Sequence, residues 1–241
     1  MSRKQPANIV PTTKSRGGRT PRAQAQRTQP GPIIQTRKSQ AAMSPEQALE
    51  LLKAGNERFV TGRMSNRDLR EQVSATAGGQ FPYAVILSCQ DSRTSSEVLF
   101  DLNKGDAFSI RIAGNVVNED VLGGLEFSTR LMGAKLIVVI GHTRCGAING
   151  AIDNAELGNL TALLRKIRPA VESSLEDGQT GSSQDKKLVE AVAKANVLLA
   201  MRQIREQSPV VRELLEAGRV GLVGGMYNLT TGKVKFYENQ N

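Results

Sequence analysis

The chain has 241 residues, 39% of them hydrophobic, with two cysteines, one histidine and no tryptophan; that is enough for one sizeable domain and a segment outside it. Nine of its 32 Lys and Arg residues and none of its 23 Asp and Glu residues fall in residues 1–42, so the net charge of +9 lies wholly in that N-terminal segment. No run approaches the roughly 20 apolar residues of a membrane span, no secretory h-region is seen, and two cysteines cannot build a disulfide framework; cytoplasm is the expected compartment.

Residues 1–42 are rich in Arg, Gln, Pro, Thr and Ser and poor in aliphatics. Such a stretch buries too little surface to offset chain entropy, which predicts a disordered basic tail. Within it, Ile9–Arg16 and Ile33–Gln40 share four of eight positions at a spacing of 24, a weak repeat that biased composition also produces by chance. The folded domain is expected over 43–241. Ser44 is a predicted N-cap, with Pro45 at the first helical position and Gln47 completing a capping box; Leu49, Leu52 and Phe59 then mark an apolar face to about Val60. A polar irregular stretch is expected to about Gly79. Residues 83–88 read as a buried strand ending at Cys89, and 107–111 as a second. Residues 119–132 read as helix, and 135–140, rich in β-branched residues, as the strongest strand, ending at Gly141-His142. Helical patterns follow at about 156–175 and 185–207, then a short helix at 209–216, an apolar run at 220–223 and a hairpin around Thr231-Gly232. Strands alternating with helices predict an α/β domain with a mainly parallel sheet flanked by helices.

Ligands of such sheets lie beyond the carboxyl ends of the strands. Cys89 and His142 each follow a strand directly, and Cys145 lies three residues after His142. Thiolate and imidazole donors suit zinc, and three protein ligands with an open fourth position form a catalytic rather than a structural arrangement. No further Cys or His exists; the one nearby extra donor is the Asp91 carboxylate. An isolated histidine or thiol reads more simply as core, but here all three soft donors converge on one crevice. No G-x-G-x-x-G follows a strand, so a phosphate-binding loop is excluded.

The motifs Cys89-Gln90-Asp91-Ser92-Arg93 and His142-Thr143-Arg144-Cys145 resemble those of the β-carbonic anhydrases. The resemblance extends to Gly105–Phe108, Arg111–Asn115, Gly141–Ala147 and Met226–Gly232, and covers about residues 44–238. It implies one Zn2+ per chain on Cys89, His142 and Cys145, and reversible hydration of CO2 to bicarbonate and a proton by attack of zinc-bound hydroxide. It further implies a dyad in which Arg93 holds Asp91, and Asp91 orients the hydroxide or, released, closes the metal as a fourth ligand. Gln80, Phe108 and Gly146 match substrate-pocket positions of the family, the glutamine commonly acting across a dimer interface. Relatives that hydrolyse carbonyl sulfide or carbon disulfide share these ligands, and a zinc-stabilised interaction protein recruited by its tail is the alternative from another class. Some bacterial members are regulated through a bicarbonate site containing tryptophan; this chain has none.

The resemblance also implies a homodimer or a dimer of dimers, with the helix from Pro45 wrapping the partner. The basic tail is an electrostatic address for an acidic protein, the candidates being a CO2-fixing enzyme or a carboxysome component, and two similar segments would add avidity. A transit peptide and nonspecific attraction to nucleic acid or membrane are the competing readings. No specific nucleic-acid partner is expected.

Overall fold

The computed structural model describes residues 34–176 and 179–237. In chain order its elements are α1 (Arg37–Ala42), α2 (Pro45–Val60), α3 (Leu69–Thr76), β1 (Ala84–Ser88), α4 (Ser96–Leu99), β2 (Ala107–Arg111), α5 (Glu119–Glu126), β3 (Leu136–His142), α6 (Gly146–Ile152), α7 (Gly158–Arg165), α8 (Arg168–Glu172), α9 (Lys186–Gln207), α10 (Pro209–Glu216), β4 (Gly221–Tyr227) and β5 (Val234–Tyr237). The sheet order is β2-β1-β3-β4-β5; the first four strands are parallel, and β5 returns antiparallel to β4.

Strand periodicity divides the core. Ala84 and Ile86 of β1, with Leu136, Val138 and Ile140 of β3, face Ala48 and Leu52 of α2 and Phe100. The alternate residues Val85, Leu87, Ile137 and Val139 face Leu125 of α5, Val197 and Ile204 of α9 and Val211 of α10. Every residue of β1 and β3 is buried, as expected of central parallel strands covered on both faces. Helix α2 comes close to the loop after α4: a Cβ on Gly55 would stand 1.9 Å from the Phe100 carbonyl oxygen. The predicted capping box is present, with Gln47 N donating to Ser44 Oγ at 3.2 Å and Ser44 N to Gln47 Oε1 at 2.9 Å. Among the described residues no helix is long and apolar enough to cross a membrane.

Three expectations shift. Order begins before residue 43: α1 is capped by Thr36 and Ser39, and the buried Gln40 donates through Nε2 to Pro82 O at 2.7 Å and Met132 O at 2.8 Å. Its anchor is a polar amide, which composition does not reveal. The rest of the tail, residues 1–33 with the first repeat copy, lies outside the described residues, and the tail's disorder and docking role with it. The second shift is α3, inside the supposedly irregular stretch to Gly79. Its apolar Leu69 and Val73 are exposed, and its one buried residue is Gln72, which bonds Asn103 and Lys104, so no apolar stripe announces it. The segment before it is fixed by the buried Asp101, which receives Arg58 Nε at 2.6 Å, Ser65 Oγ at 3.0 Å and the Arg67 guanidinium. Third, the helix expected over 156–175 is two, α7 and α8, with Pro169 in the first turn of the second, where a missing N–H is tolerated.

Asp106, in the loop before β2, is buried with one carboxylate oxygen unpartnered; the other accepts Asn103 N at 2.8 Å. Burial pushes its carboxyl up to about 6. A raised folded-state pKa contributes stability that is complete below the unfolded value and lost as pH rises through 6. Relative to Asp106→Asn, the wild type should therefore gain thermal stability as pH falls from 8 to 4.5. Melting curves whose separation does not change with pH would refute this.

Candidate metal centre

The register of β1 and β3 pairs Ser88 with Ile140. Cys89 is the next residue after β1, and His142 ends β3 two residues past Ile140, so both reach the same edge of the sheet. The chain then turns sharply, with Arg144 at φ 54°, and Cys145 becomes the N-cap of α6. Ligand atoms of Cys89, His142 and Cys145 all lie within 4.8 Å of one another, and all three residues are buried. The sulfurs are 3.9 Å apart, as free thiols rather than a disulfide.

His142 Nδ1 stands 3.0 Å from Thr143 O. A carbonyl only accepts, so Nδ1 carries the hydrogen and Nε2 keeps its lone pair. That Nε2 is buried without a partner, an orphan acceptor beside two thiols, and metal coordination would satisfy it. Between the thiols, a bond from Cys145 pulls the Cys89 thiol well below its ordinary range, helped by the His142 ring and the Gly114 N–H against burial; Cys145 is pushed up by Cys89 and by burial. Without a cation the pair does not ionise twice, whereas a dication deprotonates coordinating thiols outright. Two thiolates and one imidazole are a zinc-type donor set, and the residues fit that ion.

Asp91 sits at the rim. Its Oδ1 accepts Arg93 N at 3.0 Å and Arg93 Nε at 2.8 Å, its Oδ2 accepts Arg93 Nη2 at 2.7 Å, and Oδ2 is 4.0 Å from His142 Nε2. The Arg93 fork holds the Asp91 carboxyl far below the usual carboxylate range, against a smaller desolvation cost. The loop carrying both is laced from behind. Thr94 Oγ1 donates to Cys89 O at 2.9 Å and Asp91 O at 2.8 Å. Arg111 donates through Nη2 to Asp91 O at 2.6 Å and through Nε to Cys89 O at 3.3 Å. Gly114 N donates to Cys89 Sγ at 3.3 Å.

Five residues of the sequence reading thus come together: Cys89, Asp91, Arg93, His142 and Cys145. Gly146 opens α6 beside them, exposed, with nothing within 4 Å of a Cβ built on it. Phe108 is half-buried on β2, packed edge-to-face with Phe127 at 5.9 Å between centroids. Gln80 is exposed just before β1, and no contact with the centre is seen. Thr94, Arg111 and Gly114 had no assigned role; Arg111 and Gly114 lie in a quoted motif, but their bonds to the ligand loop need three-dimensional geometry to be seen.

A sequence model of the carbonic anhydrase family matches residues 84–234. The chain belongs to the β-carbonic anhydrases. Carbonic anhydrase 2 of Mycobacterium tuberculosis is 34% identical over 198 residues, covering 79% of this chain and 91% of that protein. Among solved structures, the β-carbonic anhydrase CafA of Aspergillus fumigatus superposes with a TM-score of 0.65 at 27% identity, over 81% of this chain and 91% of that one. The Coccomyxa β-carbonic anhydrase in complex with acetazolamide gives 0.61 at 27% identity, over 69% and 76%. The fold expected of a β-carbonic anhydrase is the fold observed, and its Cys-His-Cys cluster is compatible with zinc.

With every Cys and His of the chain already in the cluster, no spare soft donor can replace a lost thiolate. Cys145→Ser should lose the metal, read as zinc per chain by elemental analysis after purification; full occupancy in that variant would defeat the ligand assignment.

Proposed function

We propose that this carbonic anhydrase hydrates CO2 reversibly to bicarbonate and a proton, with one zinc ion per chain held by Cys89, His142 and Cys145. The observation that carries the reading is the orphan His142 Nε2 facing two buried thiols, with a clamped carboxylate at the rim. Zinc bound there would supply a Lewis acid that makes water a nucleophile near neutral pH.

The chain's own residues do the rest. Arg93 takes up both Asp91 oxygens in a bidentate fork, which keeps the carboxylate ionised and turned away from the ligand position. A lone pair of Asp91 remains free to accept a hydrogen bond from the attacking water and orient it toward the carbon of CO2. Arg111 and Thr94 fix the backbone on which Asp91 rides. In this reading the Gly146 N–H, at the start of α6, would meet an oxygen of the product; Phe108, the second residue of β2 and paired with Val85, lies toward the amino end of its strand, away from the edge that carries Cys89 and His142. His142 is the single histidine and a ligand, so no imidazole shuttle operates; protons leave through water, carboxylates and buffer.

Arg93→Gln should keep its zinc and lose about 100-fold in kcat/KM for CO2 hydration, the scale on which a misplaced catalytic group acts. Stopped-flow hydration with parallel metal analysis tests this. Zinc-loaded wild type with no hydration above the buffer blank would sink the proposal.

A pairing of chains is proposed on separate grounds. Leu69 and Val73 on α3, and Phe127 and Leu131 after α5, leave large apolar side chains in water, and such surface favours burial against a second copy. Gln80, exposed on its own chain, fits a role at a neighbour's pocket. Light scattering at micromolar concentration should give at least twice the chain mass; an active monomer would overturn this.

A further inference from the structure

Helix α9 carries one buried amide on an otherwise apolar face. Asn196 is 2% exposed, with Val192, Ala193, Val197 and Ala200 buried around it. Asparagine is a poor residue for a helix interior, and a buried amide costs stability unless satisfied. Its Nδ2 is satisfied by Gly114 O at 2.7 Å, across 82 residues of sequence. Gly114 in turn gives its N–H to Cys89 Sγ at 3.3 Å.

The two sulfurs differ in where such donors originate. Cys145 is faced by the backbone N–H groups of Ala147 and Ile148 in the helix it caps, so its environment is built locally. Cys89 has a local donor of the same kind in the Asp91 N–H, but its second, the Gly114 N–H, arrives from a separate turn, Ala113–Asn115, 25 residues away. That turn needs an external hold. Gly114 sits at φ 65°, ψ 17°, and a Cβ there would fall 2.6 Å from Ile167 Cδ1 and 3.3 Å from Ala147 Cβ. The turn is therefore pressed against Ile167 and Ala147, and Asn196 grips its carbonyl.

We propose that Asn196 is a positioning residue for the metal centre: by holding the Gly114 carbonyl it aims the Gly114 N–H at the Cys89 sulfur and so sets how much charge that thiolate donates to the bound metal. Hydrogen bonds to ligand atoms tune a metal in this way, and losing them typically weakens binding about 10- to 100-fold. The proposal rests on the zinc-centre reading above.

The test uses the full chain loaded with Co2+, whose thiolate-to-metal charge-transfer band reports sulfur donation. Asn196→Leu keeps the volume and removes the donor; Ile204→Ala, two turns along the same helix in the core, controls for lost stability. The expected result for Asn196→Leu is a band moved to longer wavelength and zinc affinity, by chelator competition, weakened about 10-fold or more. Ile204→Ala should lower Tm and leave both readouts unchanged. If the leucine variant does not fold, Asn196→Ala carries the same expectation. A lower Tm in the Asn196 variant with band and affinity unmoved makes Asn196 an ordinary core residue and overturns the proposal, as does an equal band shift in Ile204→Ala. A wild type with no thiolate band at all overturns the metal-centre reading, and this inference with it.

Discussion

Two thiols and an imidazole crowded within 4.8 Å and buried create a conflict that the protein does not resolve with its own groups. The thiols, 3.9 Å apart, compete for a proton, and the imidazole nitrogen facing them has no donor. Buried charge is tolerated only when compensated, and a donor set of this kind is compatible with a dication as that compensation. On the proposed reading, metal binding and the stability of this corner would be linked. The loop after β1, the turn into α6 and the turn at Gly114 together hold the three donors in this arrangement.

The sheet makes the crowding possible. Parallel neighbours carry their carboxyl ends to one edge, so β1 and β3 deliver Cys89 and His142 together without any special loop. The expensive part is the step from His142 to Cys145, achieved in three residues by putting Arg144, a non-glycine residue, at φ 54°. Left-handed backbone at such a residue is unfavourable and persists where surrounding structure over-determines it; here β3 on one side and the start of α6 on the other leave no alternative path. Helix α9 then packs across β3 and β4 and brings its one buried amide to the back of the site.

What was legible in the sequence follows from this division. The central strands announced themselves because burial on both faces demands unbroken apolar runs, and the ligands because the single histidine and one cysteine fell at strand ends with the other cysteine three residues beyond the histidine. Elements held by polar contacts were not legible. Helix α1 hangs on the Gln40 amide and α3 on the Gln72 amide, neither of which leaves an apolar period. The break between α7 and α8 needed only a proline at a tolerated position. In the site, Asp91 and Arg93 were readable as near neighbours in one motif. Arg111 and Thr94 act on backbone carbonyls, which no side-chain pattern encodes.

Charge balance links the site to its substrate. Two thiolates cancel a bound dication, and the Arg93 fork cancels Asp91, so the loaded centre would present almost no net field at its mouth. A nonpolar molecule such as CO2 then meets no electrostatic barrier on entry, and an anionic product is not held by excess positive charge. Three neutral imidazoles around the same ion would leave two positive charges and hold an anion more firmly. The basic residues do not alter this. They are balanced by acidic ones over 43–241, and the excess is confined to residues 1–42, a stretch whose field is screened within about 8 Å at physiological ionic strength. The sign of the whole chain thus says little about the site, whose charges are paired locally: Asp91 with Arg93 in one loop, and the two thiols with whatever cation the cluster would hold.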